Sequence, residues 1–167
     1  TLGDPNFWED EQLFRYIGKA ILDGAVPYVD VWDRKPPGLF LLFALFAAVS
    51  PASMSFQVAA LVAVTGTGLA LGLLARELSG NIRSSYAAGC LYITALVLFG
   101  GRGGEANVFV TLPVAWAAWL CFARSPEKWG WLAMMLCGLA ITLKQTAAFD
   151  GVCFGLVLLF RTRKRPL

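Results

Sequence analysis

Between residues 36 and 75 the chain runs for forty residues without a formal charge, and most of their side chains are apolar. A soluble domain of 167 residues has no interior for such a run. It belongs in lipid, with the charges at its edge held where membrane meets water. At a rise of about 1.5 Å per residue and a hydrocarbon core of roughly 30 Å, the pattern predicts spans over residues 56–75, 84–99, 106–123, 130–143 and 147–160, the last two short. Arg76, Glu77 and Arg83 bracket one connection, Arg124, Glu127 and Lys128 a second, and Arg161, Arg163, Lys164 and Arg165 the third. Cytoplasmic loops carry the excess of lysine and arginine, so all three are expected inside. Residues 100–105 and the Lys144-Gln145-Thr146 bend then lie outside, and the span at 56 must begin outside as well.

Parity also decides residues 38–50, which are apolar but only about 20 Å long as a helix. If they crossed, the leader would be cytoplasmic or every later basic loop would change sides. An interfacial or re-entrant helix is therefore expected, ended by Ser50-Pro51-Ala52-Ser53; a short span tolerated by local bilayer thinning is the alternative. The expected fold is all-α, a polytopic transmembrane helical bundle of about five spans. A first external loop with an amphipathic helix occupies 1–37, the short helix and its turn 38–54, and the transmembrane helices 55–167.

The leader is polar but patterned. Asp4-Pro5 offers an N-cap and a first-turn proline, Leu13, Phe14, Ile17 and Ile21 recur at helical spacing, Glu11 and Arg15 can pair at i,i+4, and Asp23-Gly24 supplies a stop. On that wheel Asp10 shares the membrane-facing side with Leu13 and Phe14, while Gln12, Lys19 and Asp23 point away. Residues 24–37 are expected to run extended, because each proline biases its predecessor away from helix.

Composition agrees with the pattern: 57% of residues are hydrophobic and 15% charged, with a mean hydropathy of +0.63. The net charge of +3 hides an asymmetry, since residues 1–35 hold seven acids against four bases and the far end is basic. That asymmetry is topological, and no nucleic-acid partner follows from it. Cys90, Cys121, Cys137 and Cys153 lie in apolar stretches without metal-ligand or redox spacing and read as small core residues. With no histidine, Ser-His-Asp chemistry, imidazole bases and most zinc sites are excluded. The chain opens on Thr1 with neither methionine nor signal peptide and stops just past a basic cluster; it reads as a piece of a longer protein, with a preceding span expected.

Any acid or base must then be Asp, Glu, Lys, Tyr or Cys. A membrane-facing carboxylate, as expected of Asp10, is costly without a partner or a task, although complementing the helix dipole is the plainer role. Lys35, on a backbone stiffened by Pro36-Pro37, suits a lipid phosphate as a compact cation with three donors; the plainer role is a snorkelling lysine in an aromatic belt with Trp32 and Tyr28. Gly100-Gly101-Arg102-Gly103-Gly104-Glu105 is a flexible turn holding one base and one acid, without the spacing of a soluble phosphate loop. Glu105 is placed to complete an acidic pair with Asp10, and Lys144 to add positive charge at the next outer bend, a solvated loop and a solvated hairpin turn being the alternatives. Asp150 has no i,i+4 partner and no assigned role.

Asp10-Glu11 opening an amphipathic helix, followed by Gly24-x-x-Pro27-Tyr28-x-Asp30-x-Trp32-Asp33-x-Lys35-Pro36-Pro37-Gly38, resembles the first external loop of the polytopic GT-C glycosyltransferases, nearest the bacterial protein-mannosyltransferase and aminoarabinose-transferase branch. Residues 138–145, Gly-Leu-Ala-x-x-Leu-Lys-Gln in outline, are similar to a later span end of that group. The resemblance implies that Asp10 orients or deprotonates the acceptor hydroxyl, with Glu11 supporting it. It implies that Lys35 holds the lipid-phosphate leaving group, that Glu105 is a second acidic residue of the next external loop, and that Arg102 assists with phosphate. Relatives often show Asp where this chain has Glu105. The histidine-containing metal site of some members has no counterpart in this segment, so the cofactor stays undetermined, a divalent metal included.

These implications suit an active site on the periplasmic or external face of the cytoplasmic (inner) membrane. The partners expected are a polyprenyl-phosphate-linked sugar, an acceptor protein, lipid or glycan, and membrane lipids. Transfer to the acceptor hydroxyl would take one displacement with inversion, needing no second carboxylate to attack the sugar. Two other classes are weighed against this: a transporter or flippase, which should place polar or broken helices near mid-membrane, and a non-catalytic scaffold.

Overall fold

The structure, a computed structural model, describes residues 9–50, 52–99, 104–122 and 126–163. Among the described residues it contains seven helices and no strand: α1 (Glu9–Leu22), α2 (Pro37–Val49), α3 (Met54–Ser79), α4 (Ile82–Leu98), α5 (Ala106–Phe122), α6 (Pro126–Leu143) and α7 (Ala147–Arg163). The all-α class and the order of elements follow the sequence pattern. Several helices run past the apolar segments, α3 to Ser79 and α7 to Arg163, because Arg, Glu and Leu continue a helix as readily as apolar residues do. By length and composition α3 is the one helix among the described residues fit to cross a membrane; Pro37–Val49, Ile82–Leu98, Ala106–Phe122 and Lys128–Leu143 are apolar but shorter.

Small residues set the helix crossings. Gly80, at φ 68°, ends α3 in the left-handed conformation, and the Asn81 side chain then accepts the Arg83 N–H at 2.9 Å to cap α4. The two helices fold back with Gly72 against Ser85 and Gly68 against Gly89, the close approach that small side chains permit between apolar helices. Gly18 of α1 meets the main chain of α2, and Gly38 of α2 meets Thr142 of α6. Phe14, Phe43, Phe56 and Phe109 join α1, α2, α3 and α5 in one buried aromatic cluster, with the Phe14 and Phe43 ring centroids 5.5 Å apart.

Large apolar side chains also cover the outside, among them Leu61, Leu69, Leu91, Phe149 and Phe160. Two expectations are corrected here. Cys121 and Cys137 are buried, but Cys90 and Cys153 are exposed; helices apolar all round give no sequence signal of which face turns inward. Nor do residues 24–37 run extended throughout. The Asp30 carboxylate accepts the Val26 N–H at 2.8 Å, and the Val31 carbonyl accepts the Tyr28 N–H at 2.7 Å. The chain closes into a tight turn with Tyr28 at φ 68°. Proline restrains only the residue before it, and an aspartate free to capture a nearby amide overrides that bias.

Candidate functional site

The charged residues singled out in the sequence collect largely at one end of the helices, where α3, α5 and α7 begin and α4 and α6 finish. The first part of the site is a clasp between α1 and the loop before α5. Phe14, Ile17 and Gly18 form the buried stripe of α1, and Glu11, one turn before Phe14, falls on the same side. Glu11 is 3% exposed, and its Oε1 accepts the Gly104 N–H at 2.7 Å. Gly104 is required there, since a Cβ would run into the Phe56 ring. The Arg15 guanidinium lies over that ring, 5.5 Å from its centroid.

Burial pushes the Glu11 carboxyl above its ordinary range; the Gly104 N–H opposes this, the Glu105 charge adds to it, and Arg15 offsets part of it. Two carboxylates on different elements therefore share one neighbourhood. Among the described residues no group of three or more His, Cys, Asp or Glu comes together in a way that would hold a metal ion.

A glutamate with a raised folded-state pKa binds its proton more tightly folded than unfolded. Its contribution to stability is full below the ordinary value of 4.5 and is lost as pH rises through the raised one. Glu11→Gln keeps an acceptor oxygen for Gly104 and cannot ionise. It is expected to melt a few degrees above the parent at pH 7, at about 2–4 °C per kcal/mol for a chain of this size. The gap should close by pH 4.5; a constant gap across that range would refute the assignment.

The second part is the Asp33-Arg34-Lys35-Pro36-Pro37 element. The Tyr28 hydroxyl donates to the Lys35 carbonyl at 2.7 Å, and Gln145 Nε2 donates to the Arg34 carbonyl at 3.0 Å. Partial burial, and next the Asp33 carboxylate, hold the Tyr28 phenol above its usual range, so it remains a donor. A non-glycine residue at positive φ costs on the order of 1–3 kcal/mol, and these bonds hold Tyr28 there. Pro36, extended at ψ 155°, and Pro37 in the first helical position then launch α2. The third part is Lys144, whose Nζ donates to Asn107 Oδ1 in the first turn of α5.

The structure thus brings together Glu11, Gly104 and Glu105, and binds the Lys35 element to the bend that carries Lys144 and Gln145. Asp10 is exposed beside Glu11. It is Glu11, not Asp10, that contacts the Gly104–Glu105 loop. Arg102 lies outside the described residues. Sequence reasoning missed the positioning roles of Tyr28 and Asn107. Tyr28 carried a usable signal, standing between Pro27 and Asp30 in the motif, whereas nothing in the sequence pairs Asn107 with Lys144.

Apolar helices of this kind, with acids and a lysine gathered at one end, are consistent with a membrane protein. Residues 34–167 match the dolichyl-phosphate-mannose-protein mannosyltransferase family, and the chain belongs to that family of membrane glycosyltransferases. Lys35, Arg102, Glu105 and Lys144 lie within the match; Asp10 and Glu11 precede it. No curated protein and no solved structure matches the chain.

Proposed function

We propose that this chain forms part of an integral-membrane glycosyltransferase that moves a sugar from a polyprenyl-phosphate donor to an acceptor hydroxyl outside the cytoplasmic membrane. In this arrangement α3 to α7 cross the bilayer, and α1 and α2 lie at its outer boundary. The single observation behind it is that the Lys35 element, where the family match begins, is braced by Gln145 on the Lys144 bend, at the end of the bundle that carries Glu11, Gly104 and Glu105. Arg76, Arg83, Lys128 and Arg161 stand toward the other end, as expected of a cytoplasmic face.

Asp10 serves as the base for the acceptor hydroxyl, with Glu105 as the second acid and Glu11 holding the loop that carries it. Lys35, assisted by Arg102 and Lys144, takes the phosphate. As the bond from the anomeric carbon to the phosphate oxygen breaks, charge grows on that oxygen, and a fixed ammonium group stabilises the developing charge most. The acceptor oxygen enters from the opposite side as its proton leaves, so the anomeric centre inverts in one step. The acceptor is a protein, lipid or glycan hydroxyl.

Lys35→Ala in the intact protein is expected to weaken apparent donor affinity by about 10- to 100-fold, the size of a charge-assisted contact. Initial rates with purified polyprenyl-phosphate sugars measure it. Unchanged donor affinity accompanied by impaired folding would make Lys35 a topological anchor and remove this reading of the site.

A further inference from the structure

A second concave feature lies toward the other end of the molecule, between α5 and α6. It is a groove of about 750 Å³ whose walls include Trp116, Trp119, Trp129, Leu132 and Leu136, with Lys128 the one charged side chain among the described residues that line it. Trp116 and Trp119 pack edge-on with centroids 5.5 Å apart, and the Lys128 ammonium sits 5.4 Å from the centre of the Trp129 ring. Half of the chain's six tryptophans line this groove, together with a cation that lies, at the start of α6, toward the end of the α5–α6 hairpin away from Asn107 and Lys144. Arg161 of α7 donates to the carbonyls of Cys121 and Phe122 at the finish of α5, which adds positive charge at the same end.

We propose that this groove is a site for an anionic phospholipid, its phosphate on Lys128 and one acyl chain laid along the seam. Tryptophan and lysine are the side chains that share a headgroup boundary, the ring at the interface and the ammonium reaching toward lipid phosphate. From Lys128 to Leu139 the seam follows α6 for about 16 Å. Leucine and tryptophan side chains line that length, an apolar surface against which the methylenes of one extended acyl chain are buried. The polar complement is one cation with no acid among the described lining residues, which selects one anionic group. The site stands apart from the candidate sugar-transfer site and needs no catalysis.

Tryptophan quenching in vesicles tests this, using the intact protein with tryptophans outside the groove, Trp8, Trp32 and Trp131 among them, replaced by phenylalanine. Brominated phosphatidylglycerol is expected to associate with the groove about fivefold more strongly than brominated phosphatidylcholine, the factor one lysine near an anionic surface supplies. Lys128→Gln should bring the ratio close to one and Lys128→Arg should preserve it. Lys128 is exposed, so neither change disturbs packing. Equal quenching by both lipids with Lys128 present would overturn the proposal. Absence of quenching by either would also overturn it, because protein rather than lipid would then fill the seam.

Discussion

Asp10→Asn is expected to lower sugar transfer by the intact protein by about 10²- to 10⁴-fold, the range lost when a general base is removed, while membrane levels and donor affinity stay near normal. The substitution keeps shape and removes basicity. Asp10 is exposed at the start of α1, so little packing is at stake. Its neighbour behaves differently: Glu11 is buried and holds the Gly104 amide, so its substitutions act on the loop, whereas under the proposed mechanism those of Asp10 act on the proton. Initial rates with polyprenyl-phosphate sugars, with products followed by mass spectrometry, separate the two. Turnover close to the parent in Asp10→Asn would leave Asp10 without a chemical role and move the base to Glu105, the carboxylate beside the clasp.

Helix positions were legible because apolar runs and their charged borders are a long-range signal, repeated over some fifteen residues at a time. The Lys35 element was legible because two prolines and a glycine punctuate it. What the sequence could not resolve was direction. Asp10 and Glu11 are adjacent, and one step along a helix rotates a side chain by about 100°; which of the two faces the Gly104 loop depends on how α1 rolls against α2. The wheel turned Asp10 toward the membrane with Leu13 and Phe14, yet Leu13 is 41% exposed and Phe14 1%. The buried stripe therefore runs through Glu11 and Phe14, and Leu13 and Asp10 sit at its margin. Contacts such as Lys144 with Asn107 and Gln145 with Arg34 join residues far apart in the chain. No local pattern specifies them.

The roll of α1 is itself fixed at one residue, and Gly18→Val tests it. A Cβ at Gly18 would lie 2.6 Å from the Phe43 carbonyl carbon and 2.7 Å from the Ala44 nitrogen. These are main-chain atoms of α2 and cannot rotate aside as a side chain can, so α1 itself must move. Overpacking of this kind costs about 1–3 kcal/mol and occasionally more, and the cost falls where Phe14 and Ile17 are buried. Any lift of α1 also stretches the 2.7 Å bond between Glu11 and Gly104, and the loop bearing Glu105 is released with it. Gly18→Val is therefore expected to lose most transfer activity with Asp10, Lys35 and Glu105 all in place, and to render a cysteine introduced at Phe14 reactive to a water-soluble thiol reagent. Gly138→Ala is the control: nothing lies within 4 Å of its added Cβ, and alanine is favoured over glycine inside a helix by roughly 0.5–1 kcal/mol. It should keep full activity and leave the Phe14 position protected. Full activity and protection in Gly18→Val would mean that α1 does not rest on α2 at this residue, and the clasp would lose its mechanical basis.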